Sequence, residues 1–302
     1  MTLSTIKGST FLEKGSPATL FYTDRETGTV YIVDPGQGED RPRALRRDLE
    51  KLGAGRKSVL VTHYHSDHLS ALGELQVDEV AMSSLDAPIA KNPELRVVMT
   101  FGYPVNPADK LLTFHGPPIR VDVEIPPERD SYGPLKLVRL PGHTDGQVGA
   151  ITPDGVFYVA DALFGDRVLE KYGVPYHRMP CAAEGSLSTI EKLEGRVDFI
   201  VPSHGPLIKA SDAGPFIEAN IRRIEEAKEV ILNVMSKSAT IEDILVALLK
   251  KFKYSELTPD VLMLLEATVK GYIRCLRDEN AVEVEVGERG LSFRASAKPS
   301  TA

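Results

Sequence analysis

Cysteine is scarce in this chain: Cys181 and Cys275 are the only two among 302 residues. That count excludes a framework of disulfides, and neither thiol is needed as a metal ligand. Both read as buried structural residues, with no bond expected between two positions so far apart in sequence. A basic surplus is also missing. Lys and Arg number 36 against 43 Asp and Glu, a net charge of −7, which gives no general attraction to nucleic acid or to an acidic membrane. No apolar run approaches the length of about 18 residues that a membrane span needs. The opening residues Met1 to Gly8 lack the apolar core of a signal peptide. Repeats and low-complexity tracts are absent. What remains is an ordinary globular composition, 42% apolar and 26% charged, expected in the cytoplasm and long enough for one substantial core plus a small second domain.

Histidine is where the chain is distinctive. Five of its seven histidines fall in one pattern. Residues His63-Tyr64-His65-Ser66-Asp67-His68 form an H-x-H-x-D-H cluster, followed by His143 in Pro-Gly-His-Thr, Asp161 in Val-Ala-Asp, and His204 in Pro-Ser-His-Gly-Pro. Imidazole and carboxylate are the ligands that zinc, iron and manganese accept. One catalytic ion takes about three protein ligands, so five imidazoles and two carboxylates suit two ions with a carboxylate shared. Each candidate ends a short apolar run: Val59–Thr62, Leu135–Leu140, Val156–Val159 and Phe199–Val201. Such continuous runs predict strands covered on both faces, and ligands at several strand ends can converge at one edge of a sheet.

With these residues the chain resembles the metallo-β-lactamase-fold hydrolases, of the glyoxalase II and lactamase-like type, over roughly residues 1 to 215. The stretch Ile32-Val33-Asp34-Pro35-Gly36 matches the family's first motif, a strand ending in Asp. The resemblance implies an α/β protein built as a four-layer αββα sandwich. It implies His63, His65 and His143 around a first metal, and Asp67, His68 and His204 around a second. Asp161 would bridge the two, and Asp34 would orient the ligand loop from behind. Two divalent transition-metal ions are therefore the expected cofactors, zinc first, with iron or manganese as alternatives. Asp145 departs from the family pattern, which often has Pro after the His-Thr pair.

Periodicity divides the chain into a catalytic domain over residues 1–214 and a mainly helical region over 215–302. A helix is expected near Arg43 to Leu52, and another opening at Asp67 directly after the first ligands. The Pro- and Gly-rich stretch from Ser84 to Gly133 reads as strands with irregular connections. From Pro215 onward the patterns predict three helices. They cover Phe216 to Ser236, Ile241 to Lys251 behind a Thr-x-x-Asp cap, and Thr258-Pro259 to about Asp278. An alternating β-hairpin follows through Val282 and Phe293. Three helices plus a hairpin resemble the winged-helix appendage of some family members.

That appendage raises a nucleic-acid reading, but residues 215–302 carry 13 Lys and Arg against 14 Asp and Glu. A phosphate-binding surface needs a basic footprint. The region is therefore expected to pack on the catalytic domain, shape the pocket or support a homo-oligomer. The expected activity is hydrolysis of a small ester-type substrate, whether carboxylic ester, lactone, thioester or phosphotriester. A hydroxide bridging the two ions would be its nucleophile. Asp67 and Asp161 are candidate catalytic carboxylates. His177, in the Pro-containing loop with Tyr172 and Tyr176, is a candidate donor to an oxyanion or leaving group; the plainer alternative is a surface histidine. His115 reads as structural. Competing functions are a metal-dependent endoribonuclease, a mononuclear iron persulfide dioxygenase and a non-catalytic scaffold. The complete second ligand set speaks against the last two.

Overall fold

The computed structural model describes residues 3–103, 116–254 and 257–296. His115, Pro104, Pro107 and the residues after Ser296 lie outside them. Two sheets form the centre of the fold. The first contains β1 (Leu3–Lys7), β2 (Thr10–Glu13), β3 (Thr19–Asp24), β4 (Thr29–Val33), β5 (Arg56–Val61), β6 (Glu79–Ser83) and β7 (Val123–Ile125), ordered as in the chain. It is antiparallel from β1 to β4 and parallel from β4 to β7. The second contains β8 (Ser131–Tyr132), β9 (Leu135–Arg139), β10 (Val148–Ile151), β11 (Val156–Ala160), β12 (Phe199–Pro202) and β13 (Ile208–Lys209), in reverse order. Only β11 and β12 pair in parallel there.

Alternation along the strands explains the layering. Leu20, Val33, Leu60, Val156, Tyr158 and Val201 point inward and form the core between the sheets. Their neighbours Phe21, Ile32, Val59 and Val61 face the other way, against Leu45 and Leu49 of α1 (Arg41–Lys51). Phe157, Val159 and Ile200 face outward from the second sheet, against Leu187 and Ile190 of α6 (Pro180–Leu193) and Ile217 and Ile224 of α7 (Gly214–Val234). Successive side chains of a strand alternate between faces. Where both faces are covered, as along β11 and most of β5 and β12, the positions are apolar and the runs continuous; β9 departs from that expectation, with Lys136 and Arg139 exposed. The result is the αββα sandwich.

Among the described residues, four shorter helices complete the first two thirds: α2 (Ser66–Leu69), α3 (Ala87–Ala90), α4 (Pro93–Phe101) and α5 (Asp166–Tyr172). The stretch from Ser84 onward was expected to hold only strands and irregular connections, and α3 and α4 correct that. Asn92 caps α4 by accepting from the backbone N–H of Glu94 and Leu95 at 3.0 and 3.2 Å, and Pro93 takes the first helical position, where its missing N–H costs nothing. An Asn-Pro pair inside a Pro-rich tract was an N-terminal signal rather than a breaker.

Beyond α7 come α8 (Ile241–Lys251), α9 (Pro259–Asp278) and the hairpin β14 (Val282–Gly287) with β15 (Gly290–Ala295). Thr240 and Asp243 exchange hydrogen bonds in a capping box at the start of α8. Leu248, Val269, Leu276, Val282 and Phe293 belong to the same buried cluster as Phe157 and Ile200, so this region and the outer face of the second sheet share one core. Among the described residues no helix is long and apolar enough to cross a membrane.

The structure corrects the expectation for cysteine. Cys181 and Cys275 form a disulfide, with Cα atoms 6.0 Å apart. The reason lies at Gly271, where a Cβ would fall 2.3 Å from the carbonyl oxygen of Arg178. Only glycine lets α9 approach the start of α6 so closely, and Cys275 follows one turn later on the same face. In the chain-entropy picture a loop of this size is worth about 4.7 kcal/mol. Thiol titration of the denatured, unreduced protein should find no free thiol, and reduction should lower the melting temperature. Two free thiols in the unreduced protein would show that the bond does not form.

Candidate metal centre

All seven candidate residues converge. His63 and His65 follow β5, Asp67 and His68 lie on α2, and His143, Asp161 and His204 follow β9, β11 and β12. His65 Nδ1 lies 3.1 Å from His63 Nε2 and 2.8 Å from His143 Nε2. Asp67 Oδ2 lies 3.2 Å from His204 Nε2 and 3.7 Å from His68 Nε2. Asp161 stands between these two groups. Its Oδ2 is 3.2 Å from His143 Nε2 and 3.6 Å from His204 Nε2, and its Oδ1 is 3.4 Å from His68 Nε2. Within each of the triads His63–His65–His143 and Asp67–His68–His204, the ligand atoms lie within 4.8 Å of one another. Local backbone aims the bridge: Ala160 takes a left-handed conformation (φ 51°) beside an irregularity in the β11–β12 register, which turns Asp161 off the strand. An alanine in that region costs about 1 kcal/mol, the kind of strain that clusters at functional sites.

The outer nitrogens of the rings set the tautomers. His68 Nδ1 donates to Asp34 Oδ2 at 2.7 Å, and His143 Nδ1 donates to the carbonyl of Tyr176 at 2.9 Å. Thr62 Oγ1 donates to Asp34 Oδ2 at 2.7 Å, so at 3.1 Å it accepts from His63 Nδ1. In all three rings Nε2 is the nitrogen that faces the centre, the one through which a neutral imidazole would bind a metal. His68 Nε2 is buried without a hydrogen-bond partner. Burial and neighbouring imidazoles hold His63 and His65 well below the usual histidine range, and burial lowers His143. On the other side burial opposes charge, yet Asp67 and Asp161 push His68 well above that range and raise His204. Burial also opposes charge on Asp161, but His204, His68 and His143 hold it well below the usual carboxylate range. Converging lone pairs beside two ionised carboxylates fit divalent cations, which would displace the protons that His68 and His204 otherwise hold.

Several contributors escaped the sequence reading. Thr62 and the Tyr176 carbonyl orient ligands as described, and Ser16 meets His204 Nδ1 at 2.8 Å. None carries a motif, because one hydroxyl or carbonyl at the right place suffices. Asp145 lies beside the centre without ligating, its Oδ2 3.6 Å from the Arg178 guanidinium.

A cavity of about 420 Å³ opens over the cluster. Its floor includes His65, Asp67, His143, Asp161 and His204, and Phe164, Tyr172 and Tyr176 line its sides. The C-terminal region supplies Tyr254, Val261, Leu264 and Leu265, so the helical appendage shapes the pocket. Arg167 and Lys171 of α5 also line it, and among the described residues neither has a carboxylate within ion-pair distance. His177 does not line the cavity. It is buried rather than on the surface, with its ring 6.2 Å from that of His143 and 5.8 Å from Phe164. Burial pushes its pKa down to about 3, which keeps it neutral.

The family model described as the Metallo-beta-lactamase superfamily matches residues 15–204. A hydroxyacylglutathione hydrolase of Alkalilimnicola ehrlichii is 32% identical over 147 residues, 47% of this chain and 44% of that protein. One of Shewanella loihica is 25% identical over 180 residues, 60% of this chain and 58% of that protein. The chain thus spans about half the length of these curated relatives. Among solved structures, a beta-lactamase domain protein from Burkholderia ambifaria superposes with a TM-score of 0.67 at 15% identity, covering 97% of this chain and 93% of that one. The DIM-1 metallo-beta-lactamase superposes at 0.56 with 14% identity, covering 75% and 97%. These likenesses concern the fold.

The two ligand loops are braced from below by Asp86, which no sequence motif marks. It accepts from Thr144 Oγ1 at 2.7 Å, Gly146 N at 2.9 Å and Tyr64 N at 3.3 Å, joining the His65 loop to the His143 loop. Burial pushes its carboxyl up to about 6 against the pull of these bonds. Asp86→Ala should lower stability by about 3 kcal/mol, because buried donors lose their acceptor. Asp86→Asn, which keeps one acceptor oxygen, should cost less. A wild-type urea midpoint for Asp86→Ala would remove this bracing role.

Proposed function

The chain belongs to the metallo-beta-lactamase superfamily, and from that membership and the geometry of its histidine–aspartate cluster we propose a binuclear metal-dependent hydrolase of small ester-type substrates. Thioesters stand first, ahead of carboxylic esters, lactones and phosphotriesters. The observation that carries the proposal is Asp161, whose carboxylate reaches both triads, His143 at 3.2 Å and His68 at 3.4 Å. In this reading His63, His65 and His143 hold one ion, Asp67, His68 and His204 hold the other, and Asp161 is shared. Zinc is the first candidate, with iron or manganese as alternatives. When bound, such ions supply Lewis acidity toward the substrate oxygen and lower the pKa of water.

The chain's own groups account for the rest. Asp67 borders the cavity, and although burial opposes its charge, His68 and His204 keep it well below the usual carboxylate range. It therefore serves as an acceptor that orients an attacking water. Phe164, Val261, Leu264 and Leu265 offer an apolar wall for the acyl part and restrict bulk water. Arg167 and Lys171 at the rim suit an anionic leaving group. That preference agrees with the thiol carrier in the name of the hydroxyacylglutathione hydrolases that this chain resembles. His177 contributes through its packing on His143. A cytoplasmic location belongs to the same reading, and there the Cys181–Cys275 bond would face reducing thiol pools.

The endoribonuclease reading has less support. In the C-terminal region Arg289 pairs with Asp243 at 2.6 Å, Arg294 with Glu285 at 2.8 Å and Lys228 with Glu279 at 3.0 Å, and the region as a whole has no basic excess to hold a phosphate backbone. A persulfide dioxygenase needs one metal and would leave Asp67 and His204 without a task.

The purified full-length protein should bind two transition-metal ions per chain and hydrolyse acyl thioesters with little salt dependence. Arg167→Ala and Lys171→Ala should raise KM for thioesters of anionic thiols more than for neutral aryl esters. Efficient RNA cleavage that weakens steeply with salt, beside negligible ester and thioester turnover, would overturn the proposal. Asp161→Ala should abolish hydrolysis and lower metal affinity at both sites, since one carboxylate serves both. Near-wild-type activity in that variant would exclude the shared role.

A further inference from the structure

One buried guanidinium joins two loops that reach the same half of the metal centre. Arg41 opens α1, and its side chain is almost wholly buried. Its Nε donates to the Pro35 carbonyl at 3.1 Å, in the loop that follows Asp34. Its Nη2 donates to the Pro17 carbonyl at 3.4 Å and to Thr19 Oγ1, at the far end of the loop between β2 and β3. Thr19 Oγ1 in turn donates to the carbonyl of Asp34 at 2.5 Å. The charge is balanced by Glu13, also buried, whose Oε2 lies 3.5 Å from Nη1. At Gly36, where φ is 83°, a Cβ would sit 3.0 Å from Arg41 Nε, so the second loop closes on the guanidinium because it has no side chain there.

Each loop ends on a ligand of the same triad. Ser16, next to Pro17, meets His204 Nδ1 at 2.8 Å. Asp34, next to Pro35, accepts from His68 Nδ1 at 2.7 Å, and the Gly36 N–H donates to the His68 carbonyl at 3.0 Å. In the first triad, by contrast, His65 and His143 are held by the Asp86 brace and the Tyr176 carbonyl, on other elements, and His63 reaches Asp34 only indirectly, through Thr62.

We propose that Ser16 is a positioning residue for His204, and that Arg41 sets its place by clamping the Ser16-Pro17 loop to the Asp34-Pro35 loop. The inference rests on the two-metal reading above and adds to it: occupancy of the Asp67–His68–His204 site depends on a guanidinium that touches no ligand. A long, flexible lysine could keep the charge but not the fork of donors that spans both loops.

The test is metal binding rather than turnover. Chelator-stripped full-length protein is titrated with zinc against a chromophoric competitor, with folding followed by circular dichroism. Wild type should take two equivalents. Ser16→Ala should leave the first equivalent unchanged and weaken the second by about tenfold or more, as loss of a partner behind a ligand usually does. Ser16→Thr, which keeps a hydroxyl, should stay near wild type. Arg41→Lys should weaken the same equivalent as Ser16→Ala. If the Ser16→Ala titration superimposes on wild type, or both equivalents weaken together, the inference fails while the two-metal reading stands. If wild type takes only one equivalent, the reading fails and the inference with it. Should Arg41→Lys not fold, the comparison of Ser16→Ala with Ser16→Thr decides alone.

Discussion

Asp161 holds an ionised carboxylate where only 4% of its surface meets solvent. Burying a charge is costly unless positive or hydrogen-bonding partners surround it. Here the partners are His143, His68 and His204, with Ser203 donating from the side. They reach it from the ends of β9 and β12 and from α2 behind β5, so the packing of the two sheets and the electrostatics of the cluster depend on each other. If β11 slipped by one residue against β12, Asp161 would face the opposite side of the sheet.

Around that centre the structure is arranged in two rings. The inner ring presents lone pairs and carboxylates. The outer ring holds four of the imidazoles in place: Asp34, Thr62 and the carbonyl of Tyr176 accept from the outer nitrogens of His68, His63 and His143, and Ser16 meets that of His204. The outer ring is itself anchored, by Asp86 between the His65 and His143 loops and by Arg41 between the loops of Ser16 and Asp34. Orientation of a ligand is thus passed from rigid sheet to loop to ring. The helical appendage enters at the next level, where α9 walls the cavity and is tied to α6 through Cys181 and Cys275.

The seven converging residues and the strands that carry them were legible because both signals are local. A ligand motif occupies a few consecutive residues, and a buried strand shows itself as an unbroken apolar run. The three C-terminal helices were legible for the same reason, through caps at Thr240 and Thr258-Pro259 and through an apolar stripe. The helices between Ser84 and Phe101 were not, because their Asn-Pro start lay within a tract whose composition pointed to irregular chain. Of the two readings given for His177, the surface one fails, because the ring is buried. Exposure depends on what packs above a loop, and Thr268 of α9 is what packs there.

By itself the sequence determined the histidine–aspartate pattern, the strands that carry it, the C-terminal helices and hairpin, and the excess of acid over base that turns attention from polyanions to small molecules. Tertiary structure decided which pairs meet. Ser16 and His204 stand 188 positions apart, Cys181 and Cys275 94 apart, and Asp86 lies 58 residues from Thr144. A hydrogen bond or disulfide between such positions needs one common residue type at each end and leaves no periodicity to read. Only the close packing of loops and helices, at glycines such as Gly36 and Gly271, brings those ends within bonding distance.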